Sequence, residues 1–234
     1  MNWTIITGAT SGVGAAVARR MAGLGRRNIL LIARRENHLK NLVEKLAHIA
    51  TGEVSYLAMD ISNPEDRKIL SSCLVDNCQV DTLVNAAGIG RFGRTTELDE
   101  EKADEIVLTN LLGLYHVSRI IIPLMTRSSG TKTIINVSSE SEAIGRPDGS
   151  IYCASKGGVF ALTLAWQIEL RKFGIRVCNV APGRVDTHFN NKKPGDRPGA
   201  LTADEVAEVI IFAATCSNNI DIQHISINSM SRLD

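Results

Sequence analysis

Tyr152 and Lys156 stand four positions apart, with Ser139 thirteen residues upstream of the tyrosine. On a helix, residues four apart lie one above the other on the same face, so the spacing brings an ammonium within reach of a phenol. A free phenol has a pKa of about 10 and is a poor base near neutrality; a neighbouring cation favours the phenolate and draws the group towards acid/base work. A serine hydroxyl nearby can hydrogen-bond the oxygen whose proton is moved and hold the molecule that carries it. Ser138 adjoins Ser139, and the thirteen-residue separation selects Ser139. Plainer readings exist: a lysine stem often lies along apolar surface, and a serine often caps a turn.

The second chemical feature is the run Thr7-Gly8-Ala9-Thr10-Ser11-Gly12-Val13-Gly14, where a short β-branched strand gives way to a helix. Such a junction gathers unpaired backbone N–H groups and the positive end of a helix dipole, which together suit a phosphate. Glycines are required there because a Cβ would obstruct close approach and the positive φ values of the turn. The spacing G-x-x-x-G-x-G departs from the commoner G-x-G-x-x-G.

The elements that position these residues are legible as short apolar runs separated by longer helical stretches. The runs are Thr4 to Thr7, Asn28 to Ala33, Val54 to Met59, Thr82 to Asn85, Thr133 to Val137, Arg176 to Val180 and His224 to Ile227. Seven such strands alternating with helices predict a parallel sheet, and their apolar character without clean alternation predicts helices on both faces. The fold class is therefore α/β, a Rossmann-like doubly wound sheet of about seven strands in a single domain over residues 1–234. The segment Asn190 to Pro198 is rich in turn formers and charge and reads as a mobile loop before a helix near Thr202.

Composition narrows the function. Hydrophobic residues make up 44 %, charged residues 22 %, and the net charge is +1, which supplies no extended basic footprint for nucleic acid. Apolar stretches such as Ile120 to Met125 fall short of the ~20 residues that span a bilayer, and no leader pattern precedes the glycine turn, so a cytoplasmic protein without a membrane role is expected. The five cysteines form no C-x-x-C pair and are expected to be reduced and mostly buried; Cys153, next to Tyr152, reads as a small apolar filler. The five histidines show no ligand spacing, so no metal is expected. Two stretches, Glu101 to Met125 and Tyr152 to Phe173, are apolar nearly all round, which predicts a homodimer or homotetramer built on them or, alternatively, burial within one chain.

Taken together, the sequence resembles the short-chain dehydrogenase/reductase family over essentially its whole length. Six features agree in order and spacing: Thr7 to Gly14 with Gly8, Ser11, Gly12 and Val13; Asp60 after the third strand; Asn85-Ala86-Ala87-Gly88 after the fourth; Asn110 in the long helix; Ser139 with Tyr152 and Lys156; and Pro182-Gly183-Arg184-Val185-Asp186-Thr187 after the sixth. The resemblance implies hydride exchange between a nicotinamide cofactor and a small-molecule carbonyl or alcohol. It further implies that Asp60 and Ile61 hold the adenine, that Asn85 to Gly88 line the cofactor cleft, and that Pro182, Gly183, Val185 and Thr187 hold the nicotinamide. Tyr152 would exchange the proton, Ser139 would hold the substrate oxygen, Lys156 would grip the ribose and lower the tyrosine pKa, and Asn110 would hold a water linking the lysine to solvent. Two departures stand out. Ala86 replaces the family's usual second asparagine, and the C-terminal segment Ser226 to Asp234 lacks a glycine-rich stretch common among members.

The cofactor preference is read after the second strand, in Leu30-Leu31-Ile32-Ala33-Arg34-Arg35-Glu36. Family members specific for NAD carry an acid at the strand end, where it binds the ribose 2′-hydroxyl and repels a 2′-phosphate. Ala33 occupies that place, and Arg34 and Arg35 follow it as bidentate partners for phosphate, so NADP(H) is expected over NAD(H). Two other function classes compete: a nucleotide-sensing binding module, which intact Ser139, Tyr152 and Lys156 disfavour, and an epimerase or dehydratase relative, disfavoured by the short chain. Arg91, Glu140, Glu142, Arg146, Arg184 and His188 fall where they would border a substrate pocket and suggest a polar substrate.

Overall fold

The computed structural model describes residues 2–25, 27–74 and 78–231; the last three residues of the atypical C-terminal segment lie outside them. Strands β1 (Trp3–Thr7), β2 (Asn28–Ala33), β3 (Val54–Ala58), β4 (Val80–Asn85), β5 (Lys132–Val137), β6 (Ile175–Pro182) and a last strand His224–Ile227 form one sheet. Their spatial order is β3-β2-β1-β4-β5-β6 and then the last strand, with every pairing parallel. The chain works outward from β1 to β3, then crosses back to lay β4 on the other side of β1. That reversal opens a crevice at the carboxyl ends of β1 and β4, where open α/β sheets bind ligands.

Pleating sends alternate residues to opposite faces, and the inner strands are buried on both. Ile6, Leu31, Val84 and Ile135 point to one side, beneath α1 (Gly12–Gly23), α2 (Glu36–Ala47) and the C-terminal helix Ala203–Thr215. Their neighbours Ile5, Leu30, Leu83 and Ile134 point to the other, beneath α3 (Pro64–Cys73) and the long helices of the middle of the chain. This two-sided burial is why the strand sequences read as continuous apolar runs. The C-terminal helix starts where the sequence predicts, because Thr202 and Glu205 form a reciprocal capping box.

Several features differ from expectation. The stretch expected as one apolar helix over Glu101 to Met125 is α4 (Glu100–Val107), a π-helical segment Leu108–Gly113 and α5 (Leu114–Arg127). Taken end to end, this 28-residue rod is long and apolar enough to cross a membrane, which corrects the expectation that no stretch reaches that length; 44 % of its apolar window is buried in the fold. The stretch Tyr152 to Phe173 is α6 (Ser150–Glu169) closed by a 3₁₀ turn, Arg171–Phe173. A two-stranded parallel pair also forms between β7 (Val185–Asp186) and β8 (Leu201–Thr202), which makes the strand His224–Ile227 β9 and the helix before it α7. Among the cysteines only Cys178 is buried, so the expectation of mostly buried thiols does not hold.

Candidate active site

The crevice holds a cavity of about 910 Å³. The glycine turn forms one end of it. Gly8 and Gly12 take φ of +68° and +52°, and a Cβ on Gly8 would stand 2.8 Å from the Ala86 carbonyl oxygen and the Ala87 backbone. A Cβ on Gly14 would run into the carbonyl of Gly8. Ser11 caps α1 in extended conformation, and its side chain makes no capping bond to the first turn. Across the crevice, a Cβ on Gly12 would touch Thr187 Cγ2 at 3.3 Å, so the loop after β6 meets the turn after β1. These close approaches are what a phosphate cradle requires, and they fit the dinucleotide that the sequence implies.

Residues 8, 11–13, 34–35, 60–61, 86–88, 139, 152, 156, 182–183, 185 and 187 all border this cavity. Thr7, Gly14, Asn85 and Asn110 do not, and each has another task. Thr7 Oγ1 accepts from the N–H groups of Ala86 and Ala87 at 3.2 Å, tying the ends of β1 and β4. Asn85 Nδ2 donates to Ser118 Oγ and to Asn136 Oδ1, both at 2.9 Å. Asn110 lies in the π-helical segment, and its amide clamps Ile89: Oδ1 accepts from the Ile89 N–H at 2.8 Å and Nδ2 donates to its carbonyl at 3.0 Å and to Ser155 Oγ at 3.2 Å. The side chain of Asn110 therefore fixes the loop after β4.

Ser139 and Tyr152 sit together. The phenol is 7 % exposed, and burial pushes its pKa up to about 12, opposed by a hydrogen bond from Ser139 and by the charge of Arg146. Lys156 stands over the tyrosine ring, and the groups that oppose the rise of the phenol's pKa are Ser139 and Arg146. Lys156 Nζ is 6.0 Å from the centre of the tyrosine ring and donates to the Val137 carbonyl at 3.0 Å. Burial lowers the lysine to about 8, with Glu142 acting in the opposite sense. A Cβ on Gly88 would lie 3.3 Å from Asn110 Oδ1 and 3.5 Å from Lys156 Nζ, so the Asn85–Gly88 turn runs directly past the lysine.

Near the carboxyl ends of β2 and β3, Asp60 Oδ1 accepts from the N–H and Oγ of Ser62, and Asp60 Oδ2 lies 3.7 Å from Arg34 Nη1. Arg34 also faces Glu105 at 4.0 Å, and Arg35 donates to Thr10 Oγ1 at 3.1 Å, on the glycine turn itself. Both guanidinium groups thus flank the cavity, and neither is met by an acid at position 33.

Several residues at the site escaped the sequence reading. Phe92 and Phe189 pack against Tyr152 with ring centres 5.4 and 5.9 Å away. They come from irregular loops, where no periodicity singles out an aromatic side chain. Arg197 ties the loop after β6 together, donating to the carbonyls of Val185 and Thr187 at 3.0 Å and of Phe189 at 2.7 Å. The segment read as a mobile loop is therefore cross-braced. Arg91, Arg146, Arg184 and His188 line the cavity as expected, but Glu140 and Glu142 do not. Glu140 lies buried behind Arg146, 3.2 Å from its Nη2, and the Glu142 side chain, 3 % exposed, accepts from Asn179 Nδ2 and bonds His224 Nε2, both at 2.8 Å.

The chain matches the short chain dehydrogenase family over residues 2–198. It is 33 % identical over 222 residues to a 3-oxoacyl-(acyl-carrier-protein) reductase of Thermotoga maritima, covering 90 % of this chain and 89 % of that protein. It is 31 % identical over 240 residues to sulfoacetaldehyde reductase 2 of Chromohalobacter salexigens, covering 95 % and 92 %. An alcohol dehydrogenase of the archaeon Thermococcus sibiricus, solved with 5-hydroxy-NADP, superposes with a TM-score of 0.92 at 29 % identity over 100 % of this chain and 99 % of that one. Sequence, sheet order and site geometry agree that this chain belongs to the short-chain dehydrogenase family.

Proposed function

We propose that the protein, as a single nucleotide-binding domain over residues 1–234, is an NADP(H)-dependent oxidoreductase acting on a carbonyl or secondary alcohol. The observation that carries this reading is the convergence of Ser139, Tyr152 and Lys156 on one cavity whose far end is flanked by Arg34 and Arg35. The Thermococcus relative was solved with an NADP derivative, and a metagenomic short-chain oxidoreductase at 29 % identity and TM-score 0.83 was solved with NADP. Both support the preference read from Ala33.

Bound NADP(H) supplies or receives the hydride. Tyr152 is the proton donor in reduction: with a pKa of about 12 it holds its proton throughout the neutral range. Ser139, already hydrogen-bonded to the phenol, orients the substrate oxygen towards it. Lys156 stands where the chain passes closest, between Gly88 and the Val137 carbonyl, and holds the nicotinamide ribose. Phe92 and Phe189 keep water from the phenol. Arg34 swings from Asp60 and Glu105 to the 2′-phosphate, an exchange that exposed ion pairs permit because they are weak.

The reading includes a homo-oligomer. Leu108, Leu112 and Tyr115 on the long rod, and Leu164 and Ile168 on α6, leave apolar surface outward, with Ile168 82 % exposed. Loss of NADPH absorbance with a panel of aldehydes and ketones tests the proposal. A nucleotide-sensing module would bind NADPH and consume none.

A further inference from the structure

The wall of the cavity around Tyr152 carries an unusual charge for this protein. Arg91, Arg146, Arg184, Lys192 and Arg197 line it, against the carboxylates of Asp148 and Asp196. The chain as a whole has a net charge of only +1, whereas on this wall five cations face two carboxylates. A concave, partly apolar wall with an excess of one sign focuses its field into the cavity and attracts the opposite charge. Two of these cations have structural work. Arg197 binds three carbonyls, and Arg91 donates to the Gly90 carbonyl and pairs with Glu105 at 3.4 Å.

Arg146 is placed differently. It rises from the segment between Ser139 and Tyr152, its side chain is 38 % exposed towards the cavity, and Nη2 is held from behind by Glu140, whose own side chain is 6 % exposed. A buried carboxylate behind a guanidinium fixes the plane of the fork without covering it, which is how an arginine is prepared for a second, bidentate anion. Its charge acts on the tyrosine: Arg146 is among the groups that oppose the rise of the Tyr152 pKa. Burial lowers the Arg197 pKa, Asp186 and Asp196 oppose the fall, and Arg184 and Arg146 add to it. Phe92 packs on Tyr152, and a Cβ on Gly149 would lie 3.2 Å from Phe92 and 3.4 Å from Arg146 Cβ, so the ring and the arginine border the same turn.

We infer that the substrate is a short oxo compound bearing an acid group, carboxylate, sulfonate or phosphate, seated on Arg146 while its carbonyl oxygen meets Tyr152 and Ser139. The inference rests on the oxidoreductase reading above and names the substrate class of that site.

The test compares kcat/KM, with NADPH, for 4-oxobutanoate and its methyl ester, with 2-oxoethanesulfonate and glycolaldehyde phosphate as further arms. At least one acid should exceed the ester by ten- to hundredfold, the range for one charge-assisted contact, and the best acid identifies the head group. Arg146→Met should bring the ratio towards one, and Arg146→Lys should restore part of it. An ester as good as every acid, or a preference that survives Arg146→Met, overturns the inference. Calorimetric titration of succinate into the NADP⁺-loaded protein separates the two levels. Arg146-dependent succinate binding with no turnover of any aldehyde would sink the oxidoreductase reading and keep the anion site. Turnover of the ester with no succinate binding would do the reverse.

Discussion

Lys156 Nζ donates to the Val137 carbonyl at 3.0 Å while standing 6.0 Å from the centre of the Tyr152 ring. The helical spacing of the two residues thus brings them to one cavity without joining them as an ion pair. Their buried states are held apart, with a tyrosine near 12 and a lysine near 8.

The lysine has a consequence for stability. Its folded pKa of about 8 lies below its ordinary 10.5, so the buried ammonium penalises the fold below pH 8, and the penalty lifts as pH rises from 8 to 10.5. Wild type should gain on Lys156→Met across that window by about 1.4 kcal/mol per pH unit at the steepest point. Tyr152 is common to both proteins and cancels. Urea unfolding at pH 7, 8, 9 and 10 checks this, and parallel curves would contradict it.

Arg34→Ala should weaken NADPH by roughly one to two decades, the range of about 1.5–3 kcal/mol for hydrogen bonds to charged groups, and leave NADH nearly unchanged. Ala33→Asp should reverse the preference by repelling the 2′-phosphate. Equilibrium Kd values for both nucleotides decide it; equal loss of both in Arg34→Ala would show that the arginine only shapes the fold.

Asn85, Asn136, Asn179 and His224 are neighbours in register across β4, β5, β6 and β9. Asn136 Nδ2 donates to Thr163 Oγ1 at 2.9 Å, and that hydroxyl donates to the Val159 carbonyl at 2.8 Å. Thr163→Val conserves volume and strips the acceptor from a fully buried amide, so it should cost about 1–3 kcal/mol in chemical unfolding. A loss below a few tenths would mean the row is not a stabilising network.

Light scattering should report a dimer or tetramer at micromolar concentration, and a paired Leu164→Glu, Ile168→Glu variant should shift the mass downwards. These positions are 44 % and 82 % exposed, so the substitutions should leave a folded protein. A monomeric wild type would leave this apolar face without the role proposed for it.

Much of this was legible in the sequence because it is local. Strand runs buried on two faces, a glycine turn that excludes Cβ atoms, and a tyrosine and lysine one helical turn apart all leave short-range patterns. What the sequence concealed depends on distant chain segments meeting. The asparagine row needs the register of four strands. Asn110 reads as a member of a long apolar helix, and its bond to Ile89 follows from a π-helical turn that no periodicity announces. Phe92, Phe189 and Arg197 belong to loops whose paths are set by what they pack against.

The most direct measurement is NADPH oxidation by wild type and Tyr152→Phe over a panel of carbonyl compounds, with the nucleotide Kd of each protein. The account predicts turnover in wild type, a loss of about 10²–10⁴-fold in the variant, and nearly equal Kd values, because only the hydroxyl that carries the proton is removed. A variant that keeps more than about a tenth of wild-type kcat, against the loss general acid catalysis implies, would contradict the assignment of Tyr152 as the proton donor.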